Sequence, residues 1–283
     1  MKLNFNNLGL EEVPNLREFG RDIEDITFYN NRIKDIPEMI FDLSNLTVLN
    51  ISANNIEIIP RSISKLKKLR SIDFGHNKIK YIPKEIGNLK KLDQYLYIHN
   101  NQIEVLEDEI CNLYLLRYLN VSNNFLRELP LNIGGLKSLV ELRAMDNSIF
   151  KLPKSICDLH SLRELHLKEN KIKQLPENIG ELKFLRVLDI SENKLLEIPK
   201  SIGKCINLRR LNFRNNNIKE LPKEIGNLKK LLEIDLRGNK IKELPKSILN
   251  IEGLERLDLR WNSELEDVNW LEQLENKGCI VYK

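Results

Sequence analysis

Apolar residues recur at a fixed spacing along almost the whole chain. In segments such as Leu208-Arg-Arg-Leu211-Asn-Phe213 the last two apolar residues lie two positions apart, which is the spacing of a strand with one buried face. Segments such as Pro222-Lys-Glu-Ile225-Gly-Asn-Leu228 follow them, with apolar residues at every third position, which favours a short 3-10 or irregular helical piece. We therefore predict short parallel strands in alternation with helical segments that cover the back of the sheet.

Asparagine marks one position of every repeat. It recurs at intervals of 23 residues, with a single interval of 24, at positions 31, 54, 77, 101, 124, 147, 170, 193, 216, 239 and 262. All ten prolines share another repeat position, where a fixed φ and a missing N–H suit the entry to a helical turn. The prolines therefore mark turns and do not separate domains.

The repeated pattern is L-x-x-L-x-L-x-x-N-x-I-x-x-L-P-x-x-I-x-x-L, and it resembles that of the leucine-rich-repeat family. The unbroken Lys- and Asn-rich repeats look like those of leptospiral leucine-rich-repeat proteins and are also similar to the Ras-suppressor type. The resemblance implies an α/β solenoid, a right-handed horseshoe with a parallel sheet on its concave face and short 3-10 or irregular helices on its convex side. It also implies that the asparagine ladder hydrogen-bonds the turns.

We predict a single domain over residues 1–283. Residues 1–22 fit a degenerate first repeat, because Leu8 stands where asparagine belongs, and residues 23–262 hold eleven repeats. Residues 263–283 are similar to a C-terminal cap, with an amphipathic helix over 269–276 and a final strand over 279–282. No polar cap precedes the first repeat, so weak self-association through that sheet edge is an open alternative.

Composition narrows the class of protein. The chain is 41% hydrophobic and 30% charged, which excludes a disordered, collagen-like or disulfide-scaffold chain. A net charge of +4 from 45 basic and 41 acidic residues does not imply nucleic acid. No run approaches the ~18 apolar residues of a membrane span, and residues 1–7 lack the features of an export signal. The expected location is cytoplasmic by default, and secreted or cell-surface if a signal peptide was removed.

The outward positions of the predicted strands are polar or mixed, although parallel sheets are normally covered on both faces. Tyrosine supplies large contact area at low entropic cost and is enriched at binding hot spots. The alternative is that strand propensity and cross-strand pairing explain these tyrosines. The extra residue of the 24-residue interval falls around Asp93-Gln94 and predicts a local bulge. The predicted partner-binding surface comprises Tyr29, His76, Tyr95, Tyr97, His99, Tyr118 and Asn120.

A second predicted contact surface lies in the C-terminal third of the chain, since Arg and Trp are favoured interface residues. It comprises Arg214, Arg237, Arg260 and Trp261. Asp189, Glu233, Asp235 and Asp258 flank these arginines, so mutual neutralisation along the sheet is the alternative explanation.

Residues with metal-binding or catalytic chemistry are few. His76 and His99 lie in neighbouring repeats, where their rings could come within coordination reach, but two imidazoles fall short of the three or four ligands that zinc takes. Cys111, Cys157 and Cys205 occupy packing positions, where we expect buried, reduced thiols. We therefore predict neither a metal nor a cofactor.

The sequence contains no Gly-rich phosphate loop, zinc-protease helix motif or nucleophile elbow, so we predict a non-enzymatic protein-protein interaction module. The sequence does not identify the partner protein. It is a host-cell protein if the chain is exported. An intracellular signalling scaffold and a self-associating structural protein stay open as alternatives.

Overall fold

The computed structural model describes residues 1–20, 22–266 and 268–283. The chain divides into two compact units, Met1–Leu139 and Val140–Lys283. Arg21, in the predicted first repeat, and Asp267, in the predicted cap, lie outside the described residues.

The first unit contains parallel strands in chain order, and each pairs with the next. The strands are β1 (Lys2–Asn4), β2 (Asp25–Thr27), β3 (Val48–Asn50), β4 (Ser71–Asp73), β5 (Tyr95–Tyr97) and β6 (Tyr118–Asn120). The 3-10 helices between and after them are η1 (Leu16–Phe19), η2 (Glu38–Asp42), η3 (Arg61–Lys65), η4 (Lys84–Asn88), η5 (Asp108–Asn112) and η6 (Ile133–Gly135). Self-association through the β1 edge stays a prediction.

The second unit repeats this arrangement, again with parallel neighbours. Its strands are β7 (Glu141–Arg143), β8 (Glu164–His166), β9 (Val187–Asp189), β10 (Arg210–Asn212), β11 (Glu233–Asp235), β12 (Arg256–Asp258) and β13 (Ile280–Tyr282). Its helices are η7 (Lys154–Asp158), η8 (Ile179–Glu181), η9 (Lys200–Lys204), η10 (Lys223–Asn227), η11 (Lys246–Asn250), η12 (Asn269–Leu271) and α1 (Glu272–Glu275).

The spacing of apolar residues explains both kinds of element. The central strand residue, such as Leu96 or Leu165, is fully buried, whereas its two neighbours are only partly covered. In the helices the buried residue is the isoleucine, and the preceding proline directs the chain into the turn. In η9, for example, the N–H of Ile202 donates to the carbonyl oxygen of Pro199 at 3.0 Å. Alternating strands and 3-10 helices thus fill one apolar core in each unit.

The asparagine ladder is a hydrogen-bonding device, as predicted. Asn54 is 8% exposed, and its Nδ2 donates to the carbonyl oxygens of Phe28 at 2.8 Å and Ile51 at 3.2 Å. Its Oδ1 accepts the N–H of Ile33 at 2.9 Å. One amide side chain therefore joins the backbones of two successive repeats, which satisfies buried groups that would otherwise lack partners.

A left-handed residue precedes the ladder position in every repeat, with φ between 51° and 63°. Asparagine and glycine adopt this conformation at little cost, whereas bulky side chains rarely do so. Asn30, Asn100, Asn123, Asn215 and Gly238 fit that rule.

Both ends of the chain are joined to the neighbouring repeats by hydrogen bonds. The N–H groups of Leu8 and Leu10 donate to Oδ1 of Asn31 at 3.1 and 3.0 Å, so the first repeat joins the ladder without an asparagine of its own. At the other end, η12 and α1 form the expected helical segment, and β13 pairs with β12.

All four cysteines are free and buried, which agrees with the packing positions predicted for Cys111, Cys157 and Cys205. Burial raises the pKa of Cys111, Cys157 and Cys205 to about 12. Since the thiolate is the reactive form, these side chains are chemically inert at neutral pH.

Candidate functional site: the open sheet face

The open sheet face consists of the first and third residues of each strand, together with the side chains that continue their rows into the following turn. These residues alternate with the buried strand centres and point away from the core, because successive side chains of a strand face opposite sides. This face corresponds to the surface that the sequence predicts for a partner.

An aromatic cluster, defined as His76, Tyr95, Tyr97 and His99, lies on the open sheet face of the first unit. The rings of Tyr95 and Tyr97 stack with centroids 4.6 Å apart and an interplanar angle of 23°. Tyr97 meets His99 edge-on at 6.1 Å, and His99 meets His76 edge-on at 5.0 Å. The four predicted residues therefore form one continuous set of rings.

Gly75 makes room for this cluster. A Cβ atom at Gly75 would lie 2.5 Å from the imidazole Cε1 of His99, closer than any real contact. In its present rotamer, the ring of His99 occupies the space that a Cβ atom at position 75 would take. Sequence reasoning missed Gly75. The available signal was a glycine two positions before a ladder asparagine, next to the histidine at the same position of the following repeat.

A partly buried carboxylate lies beside the histidines. Burial raises the pKa of Asp73, while the N–H of Gly75 and the nearby imidazoles of His99 and His76 oppose that rise. The Gly75 N–H donates to Asp73 Oδ1 at 2.9 Å, which holds the carboxylate in place. Burial, followed by the carboxylates of Asp73 and Asp25, also raises the pKa of Tyr95. The cluster therefore lies beside two carboxylates.

The extra residue of the 24-residue interval alters the start of β5. β4 and β5 pair through Ile72 with Leu96 and Asp73 with Tyr97, one pair fewer than most of their neighbours. The side chain of Asp93 is held by Arg70 through two hydrogen bonds of 2.9 Å. This irregularity lies directly before Tyr95, where the sequence predicts a bulge.

The other predicted residues of the first unit differ in their distance from the cluster. Tyr118 and Asn120 pair in register with Tyr95 and Tyr97, so they extend the cluster onto β6. The Arg117 guanidinium lies 5.5 Å from the centre of the Tyr118 ring. Tyr29 is exposed but follows β2, and the repeat that contains β3 lies between it and His76 of the cluster.

The arginines of the second predicted surface are bound to acidic neighbours. Arg237 forms ion pairs with Asp235 and with Asp258, the latter at 3.4 Å, and Arg260 contacts Asp258 at 2.6 Å. Although burial opposes it, hydrogen bonding from Arg260 holds the pKa of Asp258 below its usual value. Arg214 lies 3.6 Å from Glu192. This pairing favours the neutralisation explanation for the arginine column.

Trp261 differs from these arginines because it is 66% exposed and has a φ of 62°. Gly238 stands at the equivalent position with a φ of 63°. The Arg260 guanidinium lies between two rings, 5.9 Å from Trp261 and 4.8 Å from Tyr282. The fold does not require a tryptophan at this position, so an interface role for Trp261 stays a prediction.

Asp146 is an unfavourable charge on the same face, and Asp146→Asn is expected to stabilise the protein at pH 7 by about 1 kcal/mol after allowance for solvent screening. Burial, then the adjacent Glu169 carboxyl, raises the pKa of Asp146 to about 6. The folded state therefore binds more protons than the unfolded state between about pH 4 and 6, and stability falls as the pH rises through that window. Asparagine also suits its φ of 51°.

Urea unfolding of the wild type and the Asp146→Asn variant at pH 7 and at pH 3.5 checks this prediction. The stabilisation should shrink at the lower pH, where the carboxyl is protonated in both states. Asp158→Asn, at an exposed position, is the matched control and should change little. Equal stability of the Asp146→Asn variant and the wild type at pH 7 would refute the assignment.

Comparison with known proteins identifies the repeat. A model described as a leucine-rich repeat region matches residues 96–171, 154–207 and 200–279, and a leucine-rich-repeat model matches residues 23–79. A search of curated proteins found no match to the chain. Within the described residues, no helix has the length and apolar character needed to cross a membrane.

Solved structures share the same architecture. A leucine-rich-repeat protein of Leptospira interrogans is 33% identical, with a TM-score of 0.92, and the match covers 100% of this chain and 72% of that protein. An internalin of Listeria monocytogenes is 23% identical over 100% of this chain and 86% of its own, with a TM-score of 0.74, which shows the fold alone. A plant peptide hormone receptor, solved with its peptide RGF2, is 27% identical with a TM-score of 0.73.

That receptor match covers 92% of this chain and 51% of the receptor, so the chain spans about half of that relative's length. The matches confirm the predicted resemblance and the predicted fold class, a leucine-rich-repeat solenoid with a parallel sheet and short 3-10 helices. Proteins built from such repeats commonly serve as protein-protein interaction modules and are typically non-enzymatic. The chain belongs to the leucine-rich-repeat family.

Proposed function

We propose that the chain is a binding module that recognises a partner protein through the aromatic cluster, with Tyr118 and Asn120 as neighbouring contacts. The observation that carries the proposal is the continuous contact of four aromatic rings on the open sheet face. Stacked rings are held in place before binding, so little conformational entropy is lost when a partner covers them.

The fold itself does not require aromatic residues at these positions. The positions equivalent to Tyr95 carry Lys2, Asp25, Val48, Ser71 and Tyr118 in the other strands of the unit. Those equivalent to Tyr97 carry Asn4, Thr27, Asn50, Asp73 and Asn120. Since the same strand forms with small, polar or charged side chains, the tyrosines of β5 are best explained by a contact outside the repeat.

The charge around the cluster suggests which partner side chains it would accept. After burial, the carboxylates of Asp73 and Asp25 both raise the pKa of Tyr95. An arginine or lysine of the partner could lie over the tyrosine rings and approach these carboxylates, since cations are attracted to aromatic faces. We infer that the partner presents a basic side chain flanked by apolar surface.

Site-specific photo-cross-linking tests the proposal. The photoreactive phenylalanine analogue benzoyl-phenylalanine would replace Tyr118 on the open sheet face or, as the control, Tyr114, which is 48% exposed near the end of η5. The proposal predicts a dominant cross-linked protein for the probe at 118 that is absent for the probe at 114. The same cross-linked proteins at both positions, or none at 118, would contradict it.

The origin of the cross-linked protein separates the remaining alternatives. If the chain is exported, the partner is a host-cell protein and should be captured from host-cell extracts. An intracellular signalling scaffold should capture a protein from extracts of its own cell. A self-associating protein should cross-link to a second copy of the chain.

A further inference from the structure

Two carboxylates and one imidazole converge on the open sheet face of the second unit, outside both surfaces described above. Glu141 lies on β7, and Glu164 and His166 lie on β8. One ligand atom from each lies within 4.8 Å of the other two. We propose that these three side chains bind one zinc ion. The inference does not depend on the proposed function.

The charge arrangement along the strands supports this site. Glu141 and Glu164 are direct partners in the β7–β8 register, and like charges placed opposite each other destabilise a sheet. Glu233, at the equivalent position of β11, has opposite neighbours: Arg210 lies 3.9 Å from it and Arg256 lies 2.7 Å from it. At β7 and β8 the two acids instead lie beside each other, and their polar neighbours are Arg143 for Glu141 and His166 for Glu164. A bound cation would neutralise both carboxylates at once.

The geometry suits a tetrahedral ion. Nε2 of His166 lies 3.0 Å from Oε2 of Glu164. Two ligand atoms bound to one zinc at its usual bond lengths are about 3.3 Å apart, so this pair is nearly in position. The carboxylate oxygens of Glu141 would need to move by on the order of 1 Å, through a side-chain rotation, to complete a three-ligand set. A fourth position would remain open towards solvent for water or an external ligand.

The chemistry of the donors selects the class of metal. An imidazole nitrogen with two carboxylate oxygens suits zinc, whereas calcium and magnesium prefer all-oxygen sites. The side chain of His166 is 18% exposed and that of Glu141 is 19% exposed, so both are held by surrounding atoms. The buried thiols are poor competitors for zinc, because burial raises the pKa of Cys157 and Cys205 to about 12.

Arg143 competes with the ion for Glu141. Its guanidinium contacts the Glu141 carboxylate from the same strand, and its side chain is 47% exposed. Zinc binding would displace this arginine towards solvent. Removal of its charge, as in Arg143→Gln, should therefore tighten zinc binding severalfold, which is the opposite of the effect expected from loss of a ligand.

Isothermal titration of the chelator-treated full chain with zinc chloride tests the site. We expect one ion per chain, with affinity at least ~10-fold weaker in Glu164→Gln and in His166→Ala, in line with the cost of disturbing a zinc site. Glu233→Gln and His160→Ala are the matched controls, since Glu233 is paired with arginines and His160 is exposed. Both should bind zinc like the wild type.

Circular dichroism establishes whether each variant is folded. If His166→Ala unfolds, Glu141→Gln and His166→Asn are measured in place of Glu164→Gln and His166→Ala. No binding of zinc by the wild type would overturn the proposal. Binding that persists unchanged in the ligand variants would also overturn it, because the ion would then lie elsewhere. A zinc anomalous signal within bonding distance of His166 Nε2 in a crystal of the complex would support it.

Discussion

Replacement of Asn193 by alanine is expected to lower the free energy of unfolding by about 3 kcal/mol, since each buried polar group left without a partner costs ~1–3 kcal/mol. Nδ2 of Asn193 donates to the carbonyl oxygens of Leu167 at 2.9 Å and Ile190 at 3.2 Å. Its Oδ1 accepts the N–H of Ile172 at 3.0 Å. The side chain is 8% exposed, so water cannot replace all of these bonds.

Urea unfolding followed by circular dichroism measures the effect of Asn193→Ala. Asn227→Ala is the matched control, because Asn227 is exposed at the end of η10 and lies outside the ladder. It should change stability by less than about 0.5 kcal/mol, as is usual for surface substitutions. If the two variants were equally stable, the ladder would not have the structural role assigned to it.

Simultaneous replacement of Tyr97 and Tyr118 by alanine is expected to weaken partner binding strongly while the chain stays folded. Hot-spot residues each contribute about 2–4 kcal/mol on truncation, although such values are not additive. Both tyrosines lie on the open sheet face, and neither is a buried strand centre. The loss should therefore appear in the affinity and hardly in the unfolding transition.

The affinity is measured by surface plasmon resonance with the purified protein captured by cross-linking. Tyr81→Ala with Tyr114→Ala is the matched control, because both tyrosines are exposed but lie outside the strands. This control variant should bind like the wild type. Equal loss of affinity in both double variants would indicate a general effect of losing aromatic surface, and would remove the cluster from the site.

The repeat explains why so much of the fold was predictable from the sequence. Each position of the repeat occurs eleven times along the chain, so a recurring buried isoleucine or ladder asparagine stands out from positions whose residues vary. The same comparison singled out Tyr95 and Tyr97, since an aromatic residue at an otherwise polar position is an exception to the pattern. Their stacking could not be predicted, because it depends on side-chain rotamers and on the altered start of β5.

Backbone conformation explains why several residues on the open sheet face are of the type they are. Asn100 and Asn123 occupy the left-handed position before a ladder asparagine, so their identity reflects a backbone preference more than recognition. Asn, Asp or Gly fills six of the eleven positions before a ladder asparagine, and this preference was the available signal. Trp261, a bulky residue with a φ of 62°, departs from that preference and is therefore the more informative residue.

The sequence alone also could not predict which charged side chains pair with one another. The positions of Arg237, Arg260 and Asp258 were evident, but contact distances were needed to show that they neutralise one another. Likewise, Glu141 lies on a different strand from Glu164 and His166, and only the β7–β8 register and the rotamers bring their ligand atoms together.

Hydroxyl-radical labelling of the tyrosines, with and without the captured partner, tests the central claim most directly. The chain has seven tyrosines, which report on the open sheet face at β5 and β6 and on other parts of the surface at once. We predict that the partner protects Tyr95, Tyr97 and Tyr118 and leaves Tyr81 and Tyr114 unchanged. Protection of Tyr81 or Tyr114 with continued labelling of the β5 and β6 tyrosines would contradict the account.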